Sequence, residues 1–274
     1  MYEKFYGFSE KPFNVTPDSK FFFASTKHSE ALNSLLYAIN ERRGFVVVTG
    51  EIGAGKTTIC RTLFNRLDLN TKMALITNTH LTPKELISEI LDEFEIEYKG
   101  GTKQKLLAKL NNWLIKQLAD DLNVVLIIDE AQNLTPKVLE EVRMLSNLET
   151  EKEKLIQIIL LGQPELRKKL ENVNLEQFKQ RIAVYYHLNA LDRDETGQYI
   201  SHRLKLVSSN GEHNLFERGA LDLIHSHSKG IPRIINLVCD SALISGYIYD
   251  TKKISEKMIQ ETIKERDLHN SGQN

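Results

Sequence analysis

Only two cysteines occur in 274 residues, Cys60 and Cys239, far apart and each within a helix-like apolar pattern. Two buried thiols fit that placement, and a disulfide does not. No run approaches the ~18 consecutive apolar residues that would mark a membrane span. The opening Met1-Tyr2-Glu3-Lys4-Phe5 lacks signal-peptide character, so a cytoplasmic protein is expected. Neither sign of charge dominates. Thirty-six Lys and Arg against 37 Asp and Glu leave a net charge of -1. Chains whose main ligand is nucleic acid tend to be basic, so DNA is not the favoured partner, although a local basic patch stays open. The length admits one large α/β domain with a smaller satellite.

What is present is an alternation of short apolar runs with helical patterns. Phe45-Val46-Val47-Val48-Thr49, Met73-Ala74-Leu75-Ile76-Thr77, Val124-Val125-Leu126-Ile127-Ile128, Leu155 to Leu161 and Val184-Tyr185-Tyr186-His187-Leu188 read as five strands, the uninterrupted ones buried on both faces. Helices are expected at about 27–42, from the loop after the first strand to Leu67, from Thr82-Pro83, at 103–118, at 136–148 and after Pro164. Thr82 and Glu85 have the spacing of a capping box. Strand–helix alternation implies a parallel sheet covered on both faces. After residue 190 only helices are expected, at 192–207, 217–227, 231–247 and 254–265. The domains expected are an extended N-terminal segment over 1–24, an α/β core over 25–188, a helical lid over 189–268 and a frayed polar tail over 269–274. Asn-rich 172–174 reads as a loop.

Between the first strand and its helix stands Gly50-Glu51-Ile52-Gly53-Ala54-Gly55-Lys56-Thr57-Thr58. This G-x-x-x-x-G-K-[ST] pattern lies between a strand and a helix, the context its chemistry needs. Glycines let backbone N–H groups turn toward phosphate oxygens, and the helix N-terminus adds positive charge. Lys56 is suited to the β- and γ-phosphates and the Thr57 hydroxyl to Mg²⁺, so ATP with Mg²⁺ is the expected ligand. Asp129-Glu130 ends the third strand, where side chains face the ligand crevice of a parallel sheet. Asp129 suits a Mg²⁺ ligand and Glu130 the group that activates water. Gln163 follows the fourth strand and is placed to read a γ-phosphate or position water. Phe23, Ser25 and His28 are candidates for the adenine side, with aromatic core packing equally open. His213, His225 and His227 lack a ligand set at zinc spacing. Arg167-Lys168-Lys169 reads as a solvated helix face, with DNA or a partner surface as the alternative.

These residues carry a resemblance over nearly the whole chain. The phosphate loop, Asp129-Glu130, a sensor-like Gln163, Arg181 just before the fifth strand and Arg233 at the start of a late helix resemble an AAA+ ATPase. Further blocks resemble the ExeA-like (general secretion pathway protein A) ATPases. They are Phe5-Tyr6-Gly7-Phe8, Pro12-Phe13, Thr16-Pro17-Asp18, Gly44 to Glu51, Asp129-Glu130-Ala131-Gln132, Leu161-Gly162-Gln163-Pro164-Glu165-Leu166, Tyr199 to Leu204 and Gly230-Ile231-Pro232-Arg233-Ile234-Ile235-Asn236. The resemblance implies an AAA+ core with a five-stranded parallel sheet and an all-helical lid. It also implies ATP hydrolysis, Arg181 acting in trans across a subunit interface and Arg233 acting in cis.

The family's members serve secretion, pilus biogenesis and exopolysaccharide loci. The expectation is a homo-oligomeric nucleotide switch in the assembly of an envelope machine, held at the inner membrane, if at all, through a protein partner. Longer members continue into a transmembrane segment and a peptidoglycan-binding domain, so the short MshM-like form is expected here. More distant kinship with TnsC- and MuB-like ATPases makes a DNA-loaded transposition regulator the alternative. A non-hydrolysing scaffold is a third reading, which the intact Glu130 opposes.

Overall fold

Apolar runs without alternation make strands that must be covered on both sides, and their positions fix the architecture. A computed structural model of the chain describes residues 1–171, 176–209 and 214–271. In chain order the first half holds α1 (Tyr2–Tyr6), a 3-10 turn at Ser19–Phe21, α2 (Thr26–Asn40), β1 (Phe45–Gly50), α3 (Lys56–Phe64), β2 (Thr71–Ile76), α4 (Pro83–Glu93) and α5 (Lys103–Ala119). Next come β3 (Asn123–Ile128), a 3-10 turn at Ala131–Asn133, α6 (Pro136–Leu145), β4 (Gln157–Gly162), α7 (Pro164–Leu170), α8 (Glu176–Lys179) and β5 (Val184–Leu188). Four helices close the chain: α9 (Arg193–Val207), α10 (Arg218–Ser228), α11 (Pro232–Ile248) and α12 (Glu256–Ser271). The chain forms two compact units. One comprises Thr26–Gly50 with Ile59–Leu188, the other Met1–Ser25, Glu51–Thr58 and Asn189–Asn274.

The first unit is built on a five-stranded parallel sheet in the order β2-β3-β4-β1-β5. The central strands are buried along their length, with Val47, Leu126, Ile158 and Leu160 fully excluded from solvent. Each such side chain contributes about 1.5–3 kcal/mol by leaving water. Strand β2 lies at the sheet's edge and is only half covered, so Thr71 and Lys72 extend it two residues upstream of the expected start. The capping box at Thr82 and Glu85 forms as the spacing predicts: Glu85 N–H donates to Thr82 Oγ1, and Thr82 N–H donates to the Glu85 carboxylate at 2.7 Å.

The second unit buries aromatic residues of the N-terminal segment together with the late helices. Tyr2, Tyr6, Phe8, Phe13 and Phe21 share one core with Leu204, Ile235, Val238 and Leu243. Residues 2–6, expected to be extended, form a short helix instead. Tyr2 and Tyr6 are one helical turn apart, which directs both rings into that core, and Tyr6 O–H donates to the carbonyl of Leu243 at 3.2 Å. The Tyr2 hydroxyl donates to the Asp240 carboxylate. Arg203, 4% exposed, donates to the Tyr199 hydroxyl at 2.8 Å and to the Asn14 carbonyl at 3.2 Å, with its guanidinium 4.4 Å from the Phe21 ring centre. Helix α12 reaches Ser271, past the point where a polar tail is expected. The loop expected at 172–174, His213 and residues 272–274 lie outside the described residues. Among the described residues no helix is long and apolar enough to cross a membrane.

Candidate nucleotide-binding and hydrolysis site

The loop follows β1 directly. Gly50 is the last residue of that strand, and Lys56 is the first residue of α3. Gly53 and Gly55 take φ of +81° and +101°. Between them the chain turns back on itself, and Ala54 N–H donates to the Glu51 carbonyl at 3.1 Å. Glu51 and Ile52 are exposed, Ile52 by 58%. Lys56 is 6% exposed, and its ammonium folds back over the loop to donate to the Glu51 carbonyl at 3.0 Å. Thr57 and Thr58 occupy the first turn of α3, half-buried. A hairpin of backbone with a lysine curled over it and a helix N-terminus behind it has the chemistry of a phosphate cradle.

Arg233 joins the same compact unit. It stands at the N-terminal end of α11 just after Pro232, and its backbone N–H donates to the Gly53 carbonyl at 3.3 Å. A Cβ on Gly53 would stand 2.5 Å from Arg233 Cβ, so only glycine permits this approach. The motifs around Gly53 and Arg233 are each legible in sequence; the contact between them is not.

In the sheet unit, Asp129 and Glu130 follow β3. Asp129 is 6% exposed, and its backbone N–H donates to the Ile76 carbonyl at 2.9 Å. Its carboxylate accepts the Glu130 N–H at 2.9 Å. Burial first, and then the Asp129 charge, push the Cys60 thiol on α3 up to about 12, so this cysteine stays an inert thiol. Glu130 has φ 51° and ψ 35°, a left-handed conformation that a non-glycine residue holds only where its surroundings over-determine it. Gln163, at the N-cap of α7, donates from Nε2 to Glu130 Oε2 at 3.1 Å. The end of β4 is therefore tied to the end of β3. Gln132, which the sequence offers only as part of a motif, lies in the same cluster. Its Nε2 donates to Glu130 Oε2 at 2.5 Å.

Arg181 is elsewhere. Ala183 N–H donates to the carbonyl of Phe45, the first residue of β1, and β5 enters the sheet with Val184 beside Val46. Arg181 thus stands at the amino-terminal edge of the sheet, whereas Gly50, Asp129 and Gln163 lie at its carboxyl edge. Five residues of parallel strand, at ~3.3 Å each, put about 17 Å between those edges. The Glu149 carboxyl is held low by Lys154 above all, and the Arg181 charge also contributes.

The remaining candidates sort themselves. Phe23 packs edge-on to Tyr199, with ring centres 5.8 Å apart, and against His202 at 5.6 Å. Ser25 and His28 are buried, at 4% and 6% exposure. The run Arg167-Lys168-Lys169 is not a uniform solvated face. Arg167 pairs with Glu171 at 2.9 Å and sits 5.6 Å over the Tyr185 ring, while the Lys169 ammonium donates to the carbonyls of Gln132 and Leu134, the latter at 2.8 Å.

The parallel sheet order and the glycine-rich loop between β1 and α3 define a P-loop protein of the AAA+ class. The AAA domain family matches over residues 39–170. The fold is similar to that of the ORC2 protein of Aeropyrum pernix in its ADPNP–ADP complexes, with TM-score 0.70, 17% identity, and coverage of 94% of this chain and 72% of that one. It is also similar to Cdc6p of Pyrobaculum aerophilum (TM-score 0.68, 18% identity, 90% and 70% coverage) and to the RuvB branch migration motor of Thermotoga maritima (TM-score 0.59, 16% identity, 89% and 70% coverage). In sequence it is 42% identical over 255 residues to general secretion pathway protein A of Aeromonas hydrophila. The match covers 93% of this chain and 46% of that protein, so the chain spans about half the length of this relative. The fold is that of AAA-type P-loop proteins, and over most of its length the chain is similar in sequence to general secretion pathway protein A.

Proposed function

We propose that the chain binds ATP with Mg²⁺ at residues 50–58 and hydrolyses it to ADP and phosphate. The observation that carries this reading is the Glu130 carboxylate, held by a Gln163 amide at the carboxyl edge of the sheet, the edge where β1 leads into the phosphate loop. Lys56 and the loop N–H groups bind the phosphates. The Thr57 hydroxyl and Asp129 carboxylate are hard oxygen donors of the type Mg²⁺ takes. The metal, when bound, neutralises charge that builds on the phosphate oxygens. Glu130 takes the proton of the attacking water and Gln163 orients its carboxylate. Arg233 reports the state of the loop to the helical lid, and Arg181 completes the site of a neighbouring subunit in a homo-oligomer. In this reading the core is 25–188 and the lid 189–268, and the chain works in the cytoplasm or against the inner membrane through a partner.

The output we propose is a nucleotide switch in assembling an envelope machine such as a secretion, pilus or exopolysaccharide system. The name and 42% identity of the Aeromonas relative support that class of role. Titration of wild type and Lys56→Ala with a fluorescent ATP analogue tests the site. Most of the affinity should go with the lysine, and equal affinity would remove the loop assignment. Sequence-independent DNA binding that falls steeply with salt would favour a transposition regulator instead.

A further inference from the structure

We propose that Gln132 and Lys169 are positioning residues for Glu130, Gln132 by direct contact and Lys169 through the turn that carries Gln132. This rests on Glu130 being the group that activates water. Gln132 lies in the 3-10 turn Ala131–Asn133, immediately after the two acids. Its amide is engaged at both ends. Nε2 donates to Glu130 Oε2 at 2.5 Å, and Oε1 accepts the backbone N–H of Gln163 at 3.0 Å. A backbone N–H only donates, so the orientation of the Gln132 amide is fixed, and with it the donor that faces Glu130. The Gln163 side chain donates to the same Glu130 oxygen, so two amides set one carboxylate whose backbone is left-handed.

The turn is itself held. Lys169 reaches from α7 to donate to the carbonyls of Gln132 and Leu134. The strand end must also be bare for Gln132 to cross it, since a Cβ on Gly162 would lie 3.1 Å from Gln132 Oε1 and 2.7 Å from Leu166 Cδ2. Helix α7 belongs to the β4-to-β5 connection that also carries Arg181, so the support of Glu130 and the interface arginine share one segment of chain.

The test uses Gln132→Met, which keeps length and apolar bulk but forms neither hydrogen bond, and Lys169→Met. Each is made in the wild-type chain and in Glu130→Gln. Phosphate release gives kcat, a fluorescent ATP analogue gives affinity, and circular dichroism checks folding. We expect each substitution to lower kcat about 10- to 100-fold, the size of a lost hydrogen bond to a charged group, with affinity unchanged. Lys169→Arg should restore part of the loss. In the Glu130→Gln background neither substitution should lower turnover further, because both act through that carboxylate. Should Gln132→Met lose the fold, Lys169→Met carries the same comparison. Unchanged kcat in the single variants, or an equal further loss in the Glu130→Gln background, overturns the positioning role while leaving Glu130 as the base. Wild-type turnover by Glu130→Gln alone overturns the reading of Glu130, and the positioning role with it.

Discussion

The backbone N–H of Arg233 is hydrogen-bonded to the carbonyl of Gly53, so the first turn of α11 rests on the phosphate loop with no side chain between them. This contact separates two effects of substitution. Arg233→Ala keeps the backbone bond and removes the side chain beyond Cβ, the guanidinium with it. It should leave the fold intact and weaken the protection from protease that ATP gives; protection equal to wild type would count against a sensing role. Gly53→Ala places a methyl 2.5 Å from Arg233 Cβ at a φ of +81°, so it should displace the loop from α11 and lower nucleotide affinity more than Arg233→Ala does. A fluorescent-nucleotide titration of the two variants compares them directly.

Arg181 cannot reach the carboxyl edge of its own sheet across about 17 Å of parallel strand. With Arg181 proposed to serve a neighbouring subunit, Arg181→Ala should bind ATP normally and hydrolyse it slowly, since an arginine supplied in trans contributes about 10³–10⁵-fold in GTPase systems. Specific activity of the wild type should rise with protein concentration. Mixing Arg181→Ala with Lys56→Ala should recover part of the activity, because some interfaces then pair an intact loop with an intact arginine. Activity flat across concentration, with no recovery on mixing, would leave Arg181 a structural cation.

The helical unit should carry an acid-sensitive element. His202 is held below its usual value of 6.5, first by burial and further by the charges of Arg203 and Lys205, while a backbone bond with Phe22 opposes the shift. Its Nε2 is buried without a hydrogen-bond partner. Because the folded value is lowered, the unfolded chain takes up the proton first as pH falls. The stability given by the neutral ring is complete above the unfolded value and is lost as pH drops toward the folded one. Thermal unfolding followed from about pH 7.5 to about pH 5.5 should show Tm falling, with a shallower slope for His202→Phe. Equal slopes would mean that another group carries the acid response.

Much of the sheet was legible because each strand is short, apolar and bounded by turn residues. Val184–Leu188 matches its expected bounds, and the capping box at Thr82 was readable from spacing alone. Helix α1 was not, because five residues are too few for periodicity to show, and its reason is tertiary: the packing of Tyr2 and Tyr6 into a core shared with α11. The grouping of Glu51–Thr58 with the late helices was also hidden, since a hydrogen bond such as that between Arg233 and Gly53 leaves no local pattern in sequence. At the site, residue types at strand ends point to Glu130 and Gln163, and the basic run is a solvated face at Arg167 and Lys168 but not at Lys169. Lys169 is spent on two backbone carbonyls, a use that charge patterning does not distinguish from a solvated cation. Gln132 had a signal, its place two residues after Glu130, but its amide bridges two strand ends and needed the fold to be seen.

A separation of nucleotide binding from hydrolysis, with Lys56 serving the first and Glu130 the second, is what the proposed site requires. Glu130→Gln measures it most directly, assayed for ATP affinity and for phosphate release in the same preparation beside Lys56→Ala. We predict that Glu130→Gln binds ATP as tightly as wild type while releasing phosphate roughly 10²–10⁴-fold more slowly, and that Lys56→Ala loses binding itself. Phosphate release by Glu130→Gln within a fewfold of wild type would mean that Glu130 is not the group that activates water.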